Sequence, residues 1–111
     1  MKRTLVTALS AVLLSAIFSG TTSAAEGTVN AKIDLMTYYE GHDGLLLRMQ
    51  TMSDLGGCGN SAWYLLPKSH QHYKELIALV TSARVADLTL QVTVRDCAEG
   101  YGRVKHVLLL P

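Results

Sequence analysis

The sequence has 111 residues, of which 49% are hydrophobic and 17% charged, and its formal net charge at pH 7 is +1. A chain of this length holds one small domain, and its near-neutral charge lacks the excess of Lys and Arg that a nucleic-acid-binding surface requires.

The first 25 residues have the three-part layout of a secretory signal peptide. Lys2 and Arg3 give a positive start, an apolar run (TLVTALSAVLLSAIFSG) follows, and the small residues of TTSAAEG allow cleavage after Ala24 or Ala25. The apolar run is shorter than the roughly 20 residues of a spanning helix, which makes an uncleaved membrane anchor the less favoured alternative. We therefore expect a secreted or periplasmic domain over residues 26–111, with eight basic and nine acidic side chains.

The first half of this domain predicts three strands. The segment GTVNAKIDLMTYYE alternates between apolar and polar residues, the turn GHDG follows, and LLLRMQT resumes the alternation. Two alternating runs joined by a short glycine-containing turn are typical of a β-hairpin. A third strand, SAWYLL, is expected to end at Pro67.

The second half begins with a change of period. Apolar residues recur at helical spacing between Tyr73 and Ala83, so we expect a helix with Ser69 as its N-cap and an end near Ala86. The segments LTLQVTVR and RVKHVLLL then predict two further strands. In the last strand, the alternation places Val104 and His106 on one face with the following leucines, which makes His106 partly buried.

The predicted order is strand, strand, strand, helix, strand, strand. This is the order of the OB-fold, a five-stranded, partly open Greek-key barrel. The predicted fold is therefore mostly β, a five-stranded OB-fold-like barrel with one helix that closes one end. The alternative is an unclosed α+β sandwich in which the helix lies on a five-stranded sheet.

Cys58 and Cys97 lie at predicted strand ends, and in an oxidising compartment two such cysteines are expected to form a disulfide with each other. The segment CGNSAW shares part of the papain-like signature C-G-S-C-W, but Ala62 stands in the position before the tryptophan. It also differs from the esterase pattern G-x-S-x-G, because Trp63 replaces the second glycine. We therefore assign no catalytic role to Cys58 or Ser61.

The sequence gives only weak support for a metal site or for acid–base catalysis. His70 and His72 are two residues apart at a helix start, where their side chains point in different directions, so we predict no metal site and no cofactor. Four carboxylates fall in predicted loops, and their spacing selects no catalytic pair: Asp43, Asp54, Asp96 and Glu99. We predict that the protein is not an enzyme, and a small hydrolase is the least favoured function.

Ring-bearing residues suggest ligand recognition instead. Aromatic faces beside polar side chains suit sugar rings, and the predicted ligand-binding residues are Tyr38, Arg48, Gln50 and Tyr101. The structural alternative is that Trp63 and Tyr73 belong to the core and that the other tyrosines are half-buried residues of the sheet. Of the consecutive pair Trp63 and Tyr64, one ring is expected in the core and the other outside.

The order of these features resembles a known family. A cysteine, an aromatic strand, a helix containing YKELIALVTSARVADLTLQVTV and a second cysteine resemble the receptor-binding B subunits of pertussis-like and subtilase-type bacterial toxins, most closely over residues 70–95. The sequence is also similar to short secreted bacterial proteins with the pattern C-G-N-S-x-W/Y and a late cysteine. The toxin resemblance implies an OB barrel, a disulfide, glycan binding and a ring-shaped homo-oligomer. No sugar-binding position is carried over, because this chain is shorter than those subunits.

The expected function is that of a small secreted or periplasmic binding module, in its most concrete form a glycan-recognising module like a toxin B subunit. The alternative is a protein-interaction or inhibitor module that binds an envelope protein through a sheet edge.

Overall fold

The computed structural model describes residues 25–111, so the predicted signal peptide lies outside the described residues except for Ala25. The described chain forms six strands and one helix: β1 (Glu26–Ala31), β2 (Ile33–Thr37), β3 (Gly44–Met49), β4 (Tyr64–Pro67), α1 (Tyr73–Val85), β5 (Leu90–Ala98) and β6 (Tyr101–Leu109). Within residues 25–111, no helix is long and apolar enough to cross a membrane.

The strands form one sheet in the order β1-β5-β6-β4-β3-β2. Neighbouring strands are antiparallel except for β4 and β6, which run parallel and pair at Tyr64–Gly102 and Leu65–Arg103. The structure thus confirms a mostly β fold with one helix. The sheet of the described chain has six strands and is not closed, so the five-stranded, partly open barrel stays a prediction.

The strand count differs from the predicted five because the first predicted strand is divided at Lys32. Its first half, β1, pairs with β5, whereas its second half, β2, pairs with β3 after a register shift between Ile33 and Leu35. The Lys32 carbonyl accepts a hydrogen bond from the Gln50 amide at 2.9 Å. The two edge strands of the sheet are therefore consecutive in the chain, with one residue between them.

The core lies between the sheet and the apolar stripe of α1. The helix contributes Leu76, Val80 and Ala83, at the spacing that the sequence predicts. The sheet contributes alternating residues of every strand: Val29, Ala31, Ile33, Leu45, Leu47, Met49, Tyr64, Leu66, Leu90, Val92, Val94, Val104 and Val107. Each large apolar side chain buried in this way stabilises the fold by about 1.5–3 kcal/mol.

Two predicted details of the second half are wrong. The helix begins after His72 rather than at a Ser69 cap, because the chain from Pro67 to His72 forms turns in which the His70 amide donates to the Pro67 carbonyl. In β6, Thr93 pairs with His106 but Val94 pairs with Val104, which leaves Lys105 as an extra residue in a β-bulge. This bulge shifts the alternation, so that Val107 is buried and His106 is exposed.

The predicted disulfide is confirmed. Cys58 and Cys97 are bonded, with their Cα atoms 5.8 Å apart, and they join the loop between β3 and β4 to the end of β5. The loop packs closely against this strand at Gly56, where a Cβ atom would lie 2.5 Å from the Asp96 carbonyl oxygen and 2.9 Å from Cys58 Sγ. Only glycine fits at this position.

Replacing both cysteines by alanine should lower the free energy of unfolding by about 4 kcal/mol, because the bridge closes a segment with a sequence separation of 39 residues. Urea unfolding followed by circular dichroism measures the difference. Reductant should destabilise the wild-type protein by a similar amount and leave the double variant unchanged. Equal stability of the two proteins without reductant would contradict this prediction.

Candidate ligand-binding surface

A cation–aromatic contact links β3 to the residue just before β4. The guanidinium carbon of Arg48 lies 4.3 Å from the ring centroid of Trp63. Its Nε also donates a hydrogen bond to the carbonyl of Ala62 at 3.1 Å. Two contacts therefore hold the guanidinium on the indole, where the negative face of the ring attracts it.

Tyr39 extends this contact into a cluster. Its ring meets Trp63 edge to face, with the centroids 6.3 Å apart and the planes at 86°. Tyr39 is 55% exposed and Trp63 is half-buried, so both rings are accessible from solvent. We refer to Tyr39, Arg48 and Trp63 as the Trp63 cluster.

The residue after Trp63 points the other way, as strand geometry requires. Tyr64 is fully buried, and its hydroxyl donates to the Ser53 carbonyl at 3.0 Å. Tyr64 is thus the core ring of the consecutive pair, and Trp63 is the outer one.

Tyr38 lies beside the Trp63 cluster in sequence but contacts the helix. The hydroxyl of Tyr73, the first residue of α1, donates to the Tyr38 hydroxyl at 3.5 Å. Burial first, and then this hydrogen bond, raises the pKa of Tyr73 to about 12. Tyr38 itself is 58% exposed, so it remains available to a ligand while it borders the helix start.

A second contact joins two loops beside these residues. Glu99, at the tip of the β5–β6 hairpin, accepts a hydrogen bond from the Asp43 amide at 3.0 Å and lies 3.6 Å from Nδ1 of His42. The His42 ring in turn meets Tyr101 edge to face at 5.2 Å. The hairpin tip is thereby attached to the loop between β2 and β3, which carries Tyr38 and Tyr39.

The loop that leads to Trp63 is ordered by a carboxylate. Asp54 accepts hydrogen bonds at 2.8 Å from the backbone amides of Cys58 and Gly59. The amide of Gly59, followed by that of Cys58, holds the pKa of Asp54 below its ordinary value because these bonds favour the ionised carboxylate. Gly57 and Gly59 have φ angles of +68° and +77°, which side-chain-bearing residues rarely adopt.

The four predicted ligand residues do not meet at one point. Arg48 belongs to the Trp63 cluster, Tyr38 contacts Tyr73, and Tyr101 packs on His42. Gln50 is exposed, directly after β3. Their assignment to ligand binding stays a prediction.

Sequence reasoning missed the central position of Trp63 and its contact with Tyr39. The alternation along β4 predicts that Trp63 and Tyr64 face opposite ways, but it does not say which one faces out. Because both Leu65 and Leu66 are buried, no polar residue of this strand marks the solvent side.

Of the two histidines at the helix start, His70 has its ring bonded to the backbone, whereas His72 is exposed. His70 Nε2 bonds to the Lys105 carbonyl at 2.6 Å, and its Nδ1 accepts from the His72 amide at 2.9 Å. Both ring nitrogens of His70 therefore have partners. Over residues 25–111, no group of three or more His, Cys, Asp or Glu side chains is placed to hold a metal ion.

Comparison with known proteins adds no relative: no protein-family model matches the chain, and no significant match is found among curated proteins or solved structures.

Substituting Tyr38→Phe should lower the pKa of Tyr73 from about 12 toward, but not to, its ordinary value of 10, because the hydrogen bond is lost while burial remains. The raised pKa means that the folded state holds this proton more tightly, so stability is lost as pH rises from 10 to 12. An NMR titration of ¹³C-labelled tyrosine measures the change. Tyr39→Phe, which removes a neighbouring hydroxyl, is the control; an equal effect of both variants would refute the assignment.

Proposed function

We propose that this protein is a small secreted or periplasmic binding module that recognises carbohydrate at the Trp63 cluster. The observation that carries the proposal is the stacking of Arg48 on a half-exposed Trp63, with an exposed Tyr39 at its edge. A predicted signal peptide and the disulfide support a location outside the cytoplasm.

The chemistry of the cluster suits a sugar ring. The apolar C–H face of a pyranose packs on an aromatic ring, while its hydroxyls need donors and acceptors at the rim. Nε of Arg48 donates a hydrogen bond to the Ala62 carbonyl, which leaves the two terminal nitrogens of the guanidinium as donors for a ligand. The hydroxyls of Tyr38 and Tyr39 add groups that both donate and accept.

The fold that we propose for this module is the OB-type barrel. In it, β1 and β2 are the two halves of one strand bent at Lys32. Three observations support this: the two edge strands are separated by one residue, they pair with β5 and β3 respectively, and β4 and β6 are parallel. Counting β1 and β2 as one bent strand would reduce the six strands of the sheet to the five of an OB-fold.

This fold also agrees with the position of the Trp63 cluster. OB-folds bind oligosaccharides and oligonucleotides on their second and third strands and on the loops after the first and fourth. In the proposed barrel these are β3, β4, the loop that holds Tyr38 and Tyr39, and the hairpin tip at Glu99. Arg48 lies on β3 and Trp63 directly precedes β4. The near-neutral charge favours a sugar over an oligonucleotide.

A second candidate function is binding to a protein partner, namely another copy of this chain. It is favoured by a group of exposed apolar side chains. Four exposed apolar side chains lie at or just after the end of α1 or at the end of β6: Val85 at 83%, Leu88 at 39%, Leu108 at 51% and Leu109 at 46% exposure. Backbone pairing brings these segments together, since Leu90 pairs with Leu109 and the Leu110 amide donates to the Thr89 carbonyl. Such a patch supports the homo-oligomer that the toxin resemblance implies.

The carbohydrate proposal predicts that the purified wild-type protein binds a defined subset of a glycan array. Trp63→Ala should weaken binding to those glycans about 30-fold, the loss expected when a central aromatic contact of about 2 kcal/mol is removed. Thr81→Ala, which shortens an exposed side chain of α1 outside the cluster, should leave binding unchanged. An array without hits would refute carbohydrate recognition, and undiminished binding by Trp63→Ala would refute the site.

The second candidate predicts that the wild-type protein is oligomeric in light scattering after size exclusion. Leu108→Lys should convert it to a monomer, because a charge buried between two copies is costly. Leu35→Lys places the same charge at another exposed leucine and serves as the control. A wild-type monomer at every tested concentration would contradict this candidate.

A further inference from the structure

An open groove lies between β6 and the segment that leads into α1. It has a volume of about 530 Å³, within the range of pockets that hold whole organic ligands. Its lining residues come from this segment, from α1 and from β6: Ser69, His70, Gln71, His72, Leu76, Arg103, Lys105 and His106. The groove shares no residue with the Trp63 cluster, and the inference drawn from it is independent of the proposed function.

The bulge in β6 creates one wall of the groove. Because Lys105 has no opposite residue in β5, Lys105 and His106 are both directed to the solvent side of the strand instead of alternating. Bulges are frequent next to binding sites because they re-aim side chains in this way.

His70 fixes the opposite wall. It reaches across to the bulge, where Nε2 meets the Lys105 carbonyl at 2.6 Å, and its Nδ1 accepts the His72 amide at 2.9 Å. This pattern corresponds to the tautomer with its proton on Nε2. The segment before the helix is thus tied to β6, and the groove is formed before any ligand arrives.

The lining is cationic. Arg103 and Lys105 are charged, three further lining residues are histidines, and no carboxylate is among the eight lining residues. Arg103 contacts Asp96 at 3.3 Å in a part-buried ion pair, and Lys105 contacts Glu26 at 3.0 Å in an exposed one. An exposed pair contributes little to stability, so Lys105 in particular can turn toward a stronger anion.

The start of α1 makes the electrostatic potential at the groove more positive. The helix has 13 residues and begins at Tyr73, and within the described chain His72 makes no side-chain capping hydrogen bond. The Tyr73 amide donates to the His70 carbonyl at 3.0 Å, so the remaining first-turn amides and the positive end of the helix dipole are the groups beside the groove that favour an anion. Leu76, on the second turn, supplies an apolar surface for the carbon skeleton of a ligand.

We propose that this groove is an anion-binding site for a phosphate or sulfate ester carried on a small organic molecule. Arg103 and Lys105 neutralise the tetrahedral oxyanion and donate hydrogen bonds to it. The first-turn amides of α1 after Tyr73 and the exposed rings of His72 and His106 complete the shell. The groove is larger than a bare ion needs, so the organic part of the ester occupies the rest, against Leu76.

The test uses the ¹H–¹⁵N NMR spectrum of the purified protein at low salt, titrated with glucose 6-phosphate, glucose 6-sulfate and uncharged glucose. Saturable shifts of residues 69–76 and 103–106 are expected with both esters, and no shifts of these residues with glucose, whatever glucose does at the Trp63 cluster. Equal affinities would assign the site to the shared oxyanion, whereas a preference for one ester would assign it to that source. Either result supports the site.

Lys105→Gln should raise the Kd for the esters about tenfold, the loss expected for one charge-assisted hydrogen bond. Lys68→Gln removes the same charge from an exposed lysine outside the lining and should leave the Kd unchanged. Arg103→Gln is a second variant, in case Lys105→Gln disturbs the bulge. Groove-residue shifts that do not saturate, equal shifts of the groove residues with glucose, or equal weakening by Lys68→Gln would overturn the proposal.

Discussion

The bridge between Cys58 and Cys97 is the constraint on which the candidate ligand-binding surface depends. The loop between β3 and β4 spans residues 50–63 and contains no strand or helix. The bridge attaches this loop to the end of β5, and Asp54 holds the backbone on either side of Cys58 through two short hydrogen bonds. Trp63 is the last residue of the loop, so the bridge limits where this side chain can be presented.

Trp63 is then held from the sheet side. Arg48 lies on a buried strand, and its guanidinium bonds to the backbone beside the indole as well as covering its face. A ligand that meets this surface finds side chains whose conformations are already restricted, which reduces the entropy lost on binding. The hydrogen bond that Glu99 accepts from the Asp43 amide restricts the loop after β2 in the same way, and this loop carries Tyr38 and Tyr39.

The proposed anion groove, at another place in the fold, also has walls whose positions are already restricted. The bulge at Lys105 exposes two adjacent side chains, and His70 bonds to the carbonyl of the bulge. Asp54 holds the loop before Trp63, and His70 holds the bulge of β6. In both places a side chain from a loop or turn stabilises an irregular segment. Both proposed sites thus lie in loops or at a bulge that the sheet and the bridge hold in position.

Much of the fold could be predicted from alternation and cysteine placement. The hairpin of β2 and β3, the helical stripe and the disulfide all follow from periodicities of two and 3.6 or from the oxidising compartment. The division at Lys32 could not be predicted, because Ala31 and Ile33 are both buried and the alternation continues through the break. Only the pairing partners change there, and pairing is set by distant parts of the chain.

The candidate sites could be predicted less well, for related reasons. The bulge at Lys105 depends on the register between β5 and β6, which no local pattern specifies. The exposure of His106 could therefore not be predicted from the sequence. Arg48 could be placed on an outward face by alternation. Its partner Trp63 lies 15 residues further on, across a loop whose path is fixed by the disulfide.

The most direct test of this account is the fluorescence of Trp63, which is the one tryptophan of the sequence, before and after the bridge is opened under native conditions. Far-UV circular dichroism shows that the sheet persists, and thiol titration shows that the bridge is open. The account predicts red-shifted emission and stronger quenching by acrylamide after reduction, because the loop no longer holds the indole under Arg48. Unchanged emission and quenching with an intact sheet and free thiols would contradict it.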